Sequence, residues 1–209
     1  MSTTSVKRIA MIGFGEAGEI FGADFAQQGL SVVVTDILLR DRSTAPAMLE
    51  KARKAGVSAF ETYKEAIDGV DLIISAVTSS ASLDAANTAH PLLQSGQIYL
   101  DINSVSPEKK RQIARVIERS KGTFVEAAVM APVSPQRLKV PILLGGPYAS
   151  KAAEVLGSIG MNAKALSDRI GVASATKMRR SVLVKGLEAL AVECLFAARR
   201  YNAEQEVLA

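Results

Sequence analysis

The run Gly13-Phe14-Gly15-Glu16-Ala17-Gly18 has the spacing G-x-G-x-x-G, and the chemistry it suits is capture of a diphosphate. It follows a short apolar run at 9–12 and opens a stretch with helical spacing, the context that gives the pattern meaning. Gly13 permits a tight turn. Gly15 lets the backbone approach a pyrophosphate without an intervening Cβ, and Gly18 lets helix and strand pack closely. The helix start then offers free N–H groups and a partial positive charge. Asp36 ends the next β-branched run. A carboxylate there accepts hydrogen bonds from both ribose hydroxyls of an adenosine half and repels a 2′-phosphate. That favours NAD, while nearby Arg40 and Arg42 keep NADP open. The competing reading is a plain strand-to-helix turn, with Asp36 capping something local.

These residues need a scaffold, and the chain supplies one. Strands are expected at 9–12, 31–35, 57–60, 71–77, 98–102 and 123–127. Helices are expected at 16–28, 45–54, 82–93 and from 106 to about 120, with a brief one capped by Thr62 and Glu65. The triplet Val32-Val33-Val34 suggests burial on both faces. Strands alternating with helices imply parallel strands and right-handed crossovers. The fold class is therefore α/β: a Rossmann, doubly wound, mostly parallel sheet. Val77-Thr78-Ser79-Ser80 falls at its carboxyl edge, where Val77 and Thr78 would line a cofactor; Ser79 or Ser80 serves equally as a helix cap. After Met130 prolines cluster, and further strands are expected at 141–145 and 163–166 around a helix at 149–159. From Ser174 a helical pattern runs for some 30 residues. The division expected is a dinucleotide-binding domain over 1–170 and, over 171–209, a long helix that begins a truncated all-α second domain.

Four stations in order resemble the β-hydroxyacid dehydrogenase family, which includes 3-hydroxyisobutyrate and 6-phosphogluconate dehydrogenases. They are the glycine loop, the run Asp101-Ile102-Asn103-Ser104-Val105-Ser106-Pro107, the run Ala131-Pro132-Val133-Ser134, and the segment from Gly171 to Lys177. They are similar to the family's glycine fingerprint, its D-x-S-T-x-x-P run, its A-P-V-S-G-G substrate loop and its lysine-bearing helix. The resemblance implies hydride transfer between a nicotinamide cofactor and a small hydroxy acid. It assigns Lys177 as general acid/base, Ser134 to the substrate carboxylate and Ser104 to the nicotinamide side. Pro135 and Gln136 replace the family's glycine pair, and Arg180 and Ser181 replace its asparagine pair, so the substrate pocket is altered around Ser134, Arg180 and Ser181. Two rivals stay open: an imine reductase, in which another proton donor replaces the lysine, and a dinucleotide-binding module without catalysis of its own. Without the resemblance, Lys177 reads as a solvated lysine on the first turn of a long helix.

Composition narrows the remaining classes. The chain has 209 residues, net charge +4, one cysteine, one histidine and no tryptophan. A single cysteine excludes an internal disulfide framework, and few aromatics argue against base stacking on nucleic acid. Lys109-Lys110-Arg111 reads as a solvated helix face, His90 as a surface or capping residue, and Cys194 as part of an apolar helix face in the core. No metal site, membrane span or signal peptide is read from the chain, so the expected location is the cytoplasm. The apolar stripe of the last helix predicts a homodimer.

Overall fold

The computed structural model describes residues 6–209. Strands β1 (Arg8–Ile12), β2 (Ser31–Thr35), β3 (Ser58–Ala59), β4 (Leu72–Ser75), β5 (Ile98–Asp101), β6 (Thr123–Val129), β7 (Ile142–Gly145) and β8 (Ala163–Ser167) form one sheet. Its order is β3-β2-β1-β4-β5-β6-β7-β8. The helices are α1 (Glu16–Gln27), α2 (Ala45–Ala55), α3 (Tyr63–Ile67), α4 (Ser82–Ala89), α5 (Pro107–Ile117), α6 (Val133–Gln136), α7 (Ala149–Ser158), α8 (Val172–Arg199) and α9 (Glu204–Leu208).

The first six strands are parallel and follow the order 3-2-1-4-5-6 of a doubly wound sheet. Their side chains alternate between two cores. Ile9, Met11, Val32, Val34, Leu72 and Ile74 join Phe21 and Phe25 of α1 on one face. Ala10, Ile12, Val33, Ile73 and Tyr99 join Ile113 and Ile117 of α5 on the other. Period-two alternation with both faces covered is why these strands read as unbroken apolar runs.

β7 departs from the parallel pattern by pairing antiparallel to β6. The proline-rich link between them holds only the short α6 and a 3-10 turn at Arg137–Lys139. It folds back at the sheet edge, too short to carry a crossover helix. Smaller departures concern helix ends. The expected helix at 82–93 ends at Ala89 and continues as a 3-10 turn, His90–Leu92, because Pro91 withdraws a backbone donor. His90 starts that turn, half-buried. The cap on α3 is as expected: Thr62 accepts the Glu65 N–H. α4 has no side-chain cap, so neither Ser79 nor Ser80 plays that part.

Register does the positioning. Ile12 pairs with Thr35 and Ser75, and Ser75 pairs with Asp101. The loops beginning at Gly13, Asp36, Ala76 and Ile102 therefore leave the sheet along one edge, at the point where strand order reverses. α8 packs its first turn there, with Ala173 and Ser174 buried. Beyond that turn Val182, Leu187 and Phe196 are 73%, 59% and 66% exposed among the described residues. Cys194 is exposed on the same helix, which corrects its expected place in the core: no element of the described chain covers that stretch. Among the described residues no helix is long and apolar enough to cross a membrane.

The glycines separate by what surrounds them. A Cβ on Gly18 would collide with the Gly13 carbonyl oxygen, whereas one on Gly186, midway along α8, meets nothing within 4 Å. Gly18→Ala is expected to cost about 1–3 kcal/mol. Gly186→Ala is expected to gain about 0.5–1 kcal/mol from helix propensity. Thermal denaturation followed by circular dichroism distinguishes them, and a shift of the same sign in both would contradict this packing.

Candidate cofactor and substrate cleft

The glycine loop is tied down from below. Gly13 has φ +92° and donates its N–H to the Thr35 carbonyl at 2.8 Å. A Cβ there would stand 2.5 Å from the Ala76 carbonyl oxygen. The Phe14 side chain is fully buried, so it does not reach the cleft, which corrects its expected part in lining the cofactor. At Gly15 nothing lies within 4 Å of a would-be Cβ. α1 has no side-chain cap, so the amides of its first turn face the cleft without a side-chain acceptor.

Asp36 serves two backbones at once. Its Oδ2 accepts the Phe14 N–H at 2.7 Å and its Oδ1 accepts the Leu38 N–H at 3.0 Å. The local-cap reading and the sugar-holding reading are thus compatible, since a carboxylate offers about four lone-pair sites. Asp36, Gly15, Arg40, Tyr63, Val77 and Thr78 border a cavity of about 490 Å³. Thr35 borders it too, and its buried Oγ1 has no hydrogen-bond partner. Arg40 donates Nε to the Glu61 carbonyl and lies 5.7 Å from the Tyr63 ring centroid. Arg42 is exposed.

Ala76 and Val77 also border a second cavity, of about 290 Å³, so the two share a wall. Glu16, Ala17, Ser104, Pro132, Val133 and Lys177 line this one. Lys177 is half-buried. Its pKa is lowered from the ordinary lysine value, first by desolvation and then by the Lys110 charge. Ser104 is exposed, and its carbonyl accepts the Ser79 hydroxyl at 2.9 Å, which ties two loops of the cleft together. Thr78 is exposed, its hydroxyl 3.1 Å from that of Ser80. Three expected substrate residues stand outside the lining. Ser134 is exposed on α6, beside Val133, and Ser181 is half-buried one turn beyond Lys177. Arg180 donates Nη1 to the Met130 carbonyl at 2.8 Å, which pins the start of the loop after β6 to α8.

Residues not singled out in the sequence complete the site. Asn103 is buried and lines the second cavity. Its Nδ2 donates to Ser75 Oγ at 2.9 Å and Asp101 Oδ1 at 2.6 Å, leaving Oδ1 without a partner. Lys110 is a correction. It is buried, with Nζ 2.6 Å from the Asp101 carbonyl, 3.2 Å from that of Ala127 and 3.4 Å from Asp101 Oδ2. It shares the α5 stripe with Ile113, Ala114 and Ile117, a spacing that turns it inward whatever its neighbours carry. Burial lowers its pKa, against Asp101 and Glu126. Glu126 is buried in β6 and accepts the N–H groups of Gly171 at 2.5 Å and Ser174 at 2.8 Å. It caps α8, the helix that carries Lys177. A Cβ on Gly145 would stand 2.5 Å from its Oε2.

The site's chemistry fits a dinucleotide: a glycine turn with open space at Gly15, uncapped helix amides, a carboxylate at the tip of β2, and orphaned Thr35 and Asn103 oxygens beside the two cavities. Comparison agrees. Residues 8–167 match the family described as the NAD binding domain of 6-phosphogluconate dehydrogenase, and the chain belongs to that family. An uncharacterised 28.5 kDa protein of Methanothermus fervidus is 30% identical, over 96% of this chain and 74% of its own. Human mitochondrial 3-hydroxyisobutyrate dehydrogenase is 22% identical, over 88% of this chain and 54% of its own. This chain thus spans about half the length of that curated relative. A conserved hypothetical protein from Sinorhizobium meliloti has a TM-score of 0.86 at 36% identity, over 99% of this chain and 69% of that one. The resemblance to hydroxyacid dehydrogenases is therefore one of family as well as motif.

Removing Glu126 leaves two buried N–H groups unpaired and the Lys110 ammonium undercompensated. Glu126→Ala is expected to cost about 3–5 kcal/mol, measured by urea denaturation. A loss below about 1 kcal/mol would mean that this carboxylate does not hold α8.

Proposed function

We propose that this protein is an NAD-dependent oxidoreductase acting on a small hydroxy acid, with Lys177 as general acid/base. The carrying observation is that half-buried Lys177 lines a cavity that shares the Ala76–Val77 wall with the one beside the glycine loop. The free amides of Gly15, Glu16 and Ala17 would hold the diphosphate, and Asp36 the adenosine ribose. Ser104 and Asn103 would face the nicotinamide end. Bound there, the nicotinamide supplies the hydride chemistry.

The chain's own part is proton handling and orientation. In oxidation, neutral Lys177 Nζ takes the substrate hydroxyl proton; in reduction, its ammonium returns one to the developing alkoxide. Ser134 would reach the substrate carboxylate from the rim. Arg180 supports the loop through the Met130 carbonyl and adds positive charge near it.

Lys177→Met is expected to lower kcat/KM at least about a hundredfold while the calorimetric Kd for NAD+ stays within about threefold. Full activity in that variant with a hydroxy-acid substrate would overturn the assignment. The pH dependence has a definite sign. Because folding lowers the Lys177 pKa, oxidation rises with pH and levels off earlier than an ordinary lysine, at about 10.4, would allow. The charged form is penalised in the folded state at neutral pH, and that penalty is relieved as pH rises from the lowered value to the ordinary one. A pH–rate profile with no lysine limb below the ordinary value would contradict it.

NAD is the expected partner because a 2′-phosphate would bring like charge to Asp36, while Arg40 is committed to the Glu61 carbonyl and the Tyr63 ring. NAD+ is expected to bind at least about tenfold more tightly than NADP+, with Asp36→Ala closing most of that gap. Equal affinities in the unaltered protein would reject this preference.

A further inference from the structure

The glycine loop has a second anchor, on α2, that neither its motif nor its strand predicts. Lys51 reaches from α2 and donates Nζ to the Phe14 carbonyl at 2.6 Å. The same ammonium pairs with Glu19 Oε2 at 3.0 Å and lies 5.2 Å from the Phe14 ring centroid. Lys51 is half-buried, and the Phe14 ring it covers sits against Gly22, where a Cβ would stand 3.2 Å from the ring edge. Asp36 meanwhile holds the Phe14 N–H. Both backbone groups of Phe14 are therefore fixed by charged side chains from two separate elements.

The consequence follows from peptide geometry. The Phe14–Gly15 peptide is trans and planar, so its C=O and its N–H point in opposite directions. Lys51 draws the carbonyl toward α2, and the Gly15 N–H must then point away from α2. That N–H donates to no backbone or side-chain acceptor among the described residues, and space opens at Gly15. Glycine is the residue most able to flip its flanking peptides, so the loop needs something to hold this one.

We propose that Lys51 is a positioning residue for dinucleotide binding: by holding the Phe14 carbonyl it aims the Gly15 amide at the diphosphate without touching the ligand itself. This rests on the dinucleotide reading of the cleft. The geometry keeps the peptide ready before ligand arrives, so the effect belongs to affinity and is shared by any ligand carrying the diphosphate.

Calorimetric titration with NAD+ and with ADP-ribose, which has the diphosphate and no nicotinamide, tests it. Lys51→Met is expected to weaken both probes about tenfold, to move the Gly15 amide resonance in ¹⁵N–¹H spectra and to leave the fold intact. Lys51→Arg, which keeps a charged donor, is expected to recover most of the affinity. Should Lys51→Met fail to fold, Lys51→Gln replaces it with the same expectation. A lysine acting only as a distant charge would lose its influence at about 0.5 M salt; the clamp predicts that the ratio of affinities survives. Unchanged affinity in the folded variant, a ratio that collapses in salt, or a loss confined to NAD+ would each overturn the clamp while leaving the dinucleotide reading in place. An unaltered protein that binds neither probe would overturn both.

Discussion

The structure turns on a helix that starts without a side-chain cap. α1 begins at Glu16 directly after the glycine turn, and an uncapped first turn leaves backbone donors that require an acceptor. In most helices a serine or aspartate supplies one. Here none does: the nearby carboxylate of Asp36 accepts from Phe14 and Leu38, outside that first turn. The sheet keeps this end open and rigid at once: Gly13 is fastened to β2, Gly18 to the turn beneath it, and Phe14 to the core. An anion at that end would satisfy the donors and interact favourably with the helix dipole.

A second constraint links the far side of the cleft to the core. Asp101, Lys110 and Glu126 place three ionisable side chains in the interior, an arrangement that costs stability unless each is paired. Asp101 orients Asn103 at the wall of the second cavity. Lys110 joins the end of β5 to β6. Glu126 converts the net negative remainder into two hydrogen bonds at the start of α8. The interior charge thus fixes the direction of the helix that carries Lys177, and the same buried ammonium pushes the Lys177 pKa down. Burial of Lys177 itself lowers that pKa first, and the interior ammonium adds to it.

Much of this was legible in the sequence because it is local. The glycine spacing, the strand before it, the acid at the tip of β2 and the Thr62–Glu65 cap are each set within a few residues. The interior charges were not, for two reasons. Lys110 sits between Lys109 and Arg111, and the local charge density hides a stripe spacing that points inward. Glu126 lies in Thr-Phe-Val-Glu-Ala-Ala-Val, where a lone acid in an apolar strand signals a buried partner without naming it. Its partners are 45 and 48 residues away. Lys51 gives no signal at all in a charged helix, since the Phe14 carbonyl is 37 residues distant. Alternation of strands and helices likewise leaves the direction of β7 undecided, because a short proline-rich link can turn back on itself.

The central claim is that the uncapped start of α1 grips a diphosphate while Asp36 holds the adjoining sugar. A crystal structure of this protein grown with NAD+ tests it most directly. The expected density places the diphosphate oxygens within hydrogen-bond distance of the Gly15, Glu16 or Ala17 amides, with the adenosine ribose hydroxyls on the Asp36 carboxylate. Well-ordered NAD+ lying elsewhere, or a cleft closed by side chains at saturating NAD+, would contradict it.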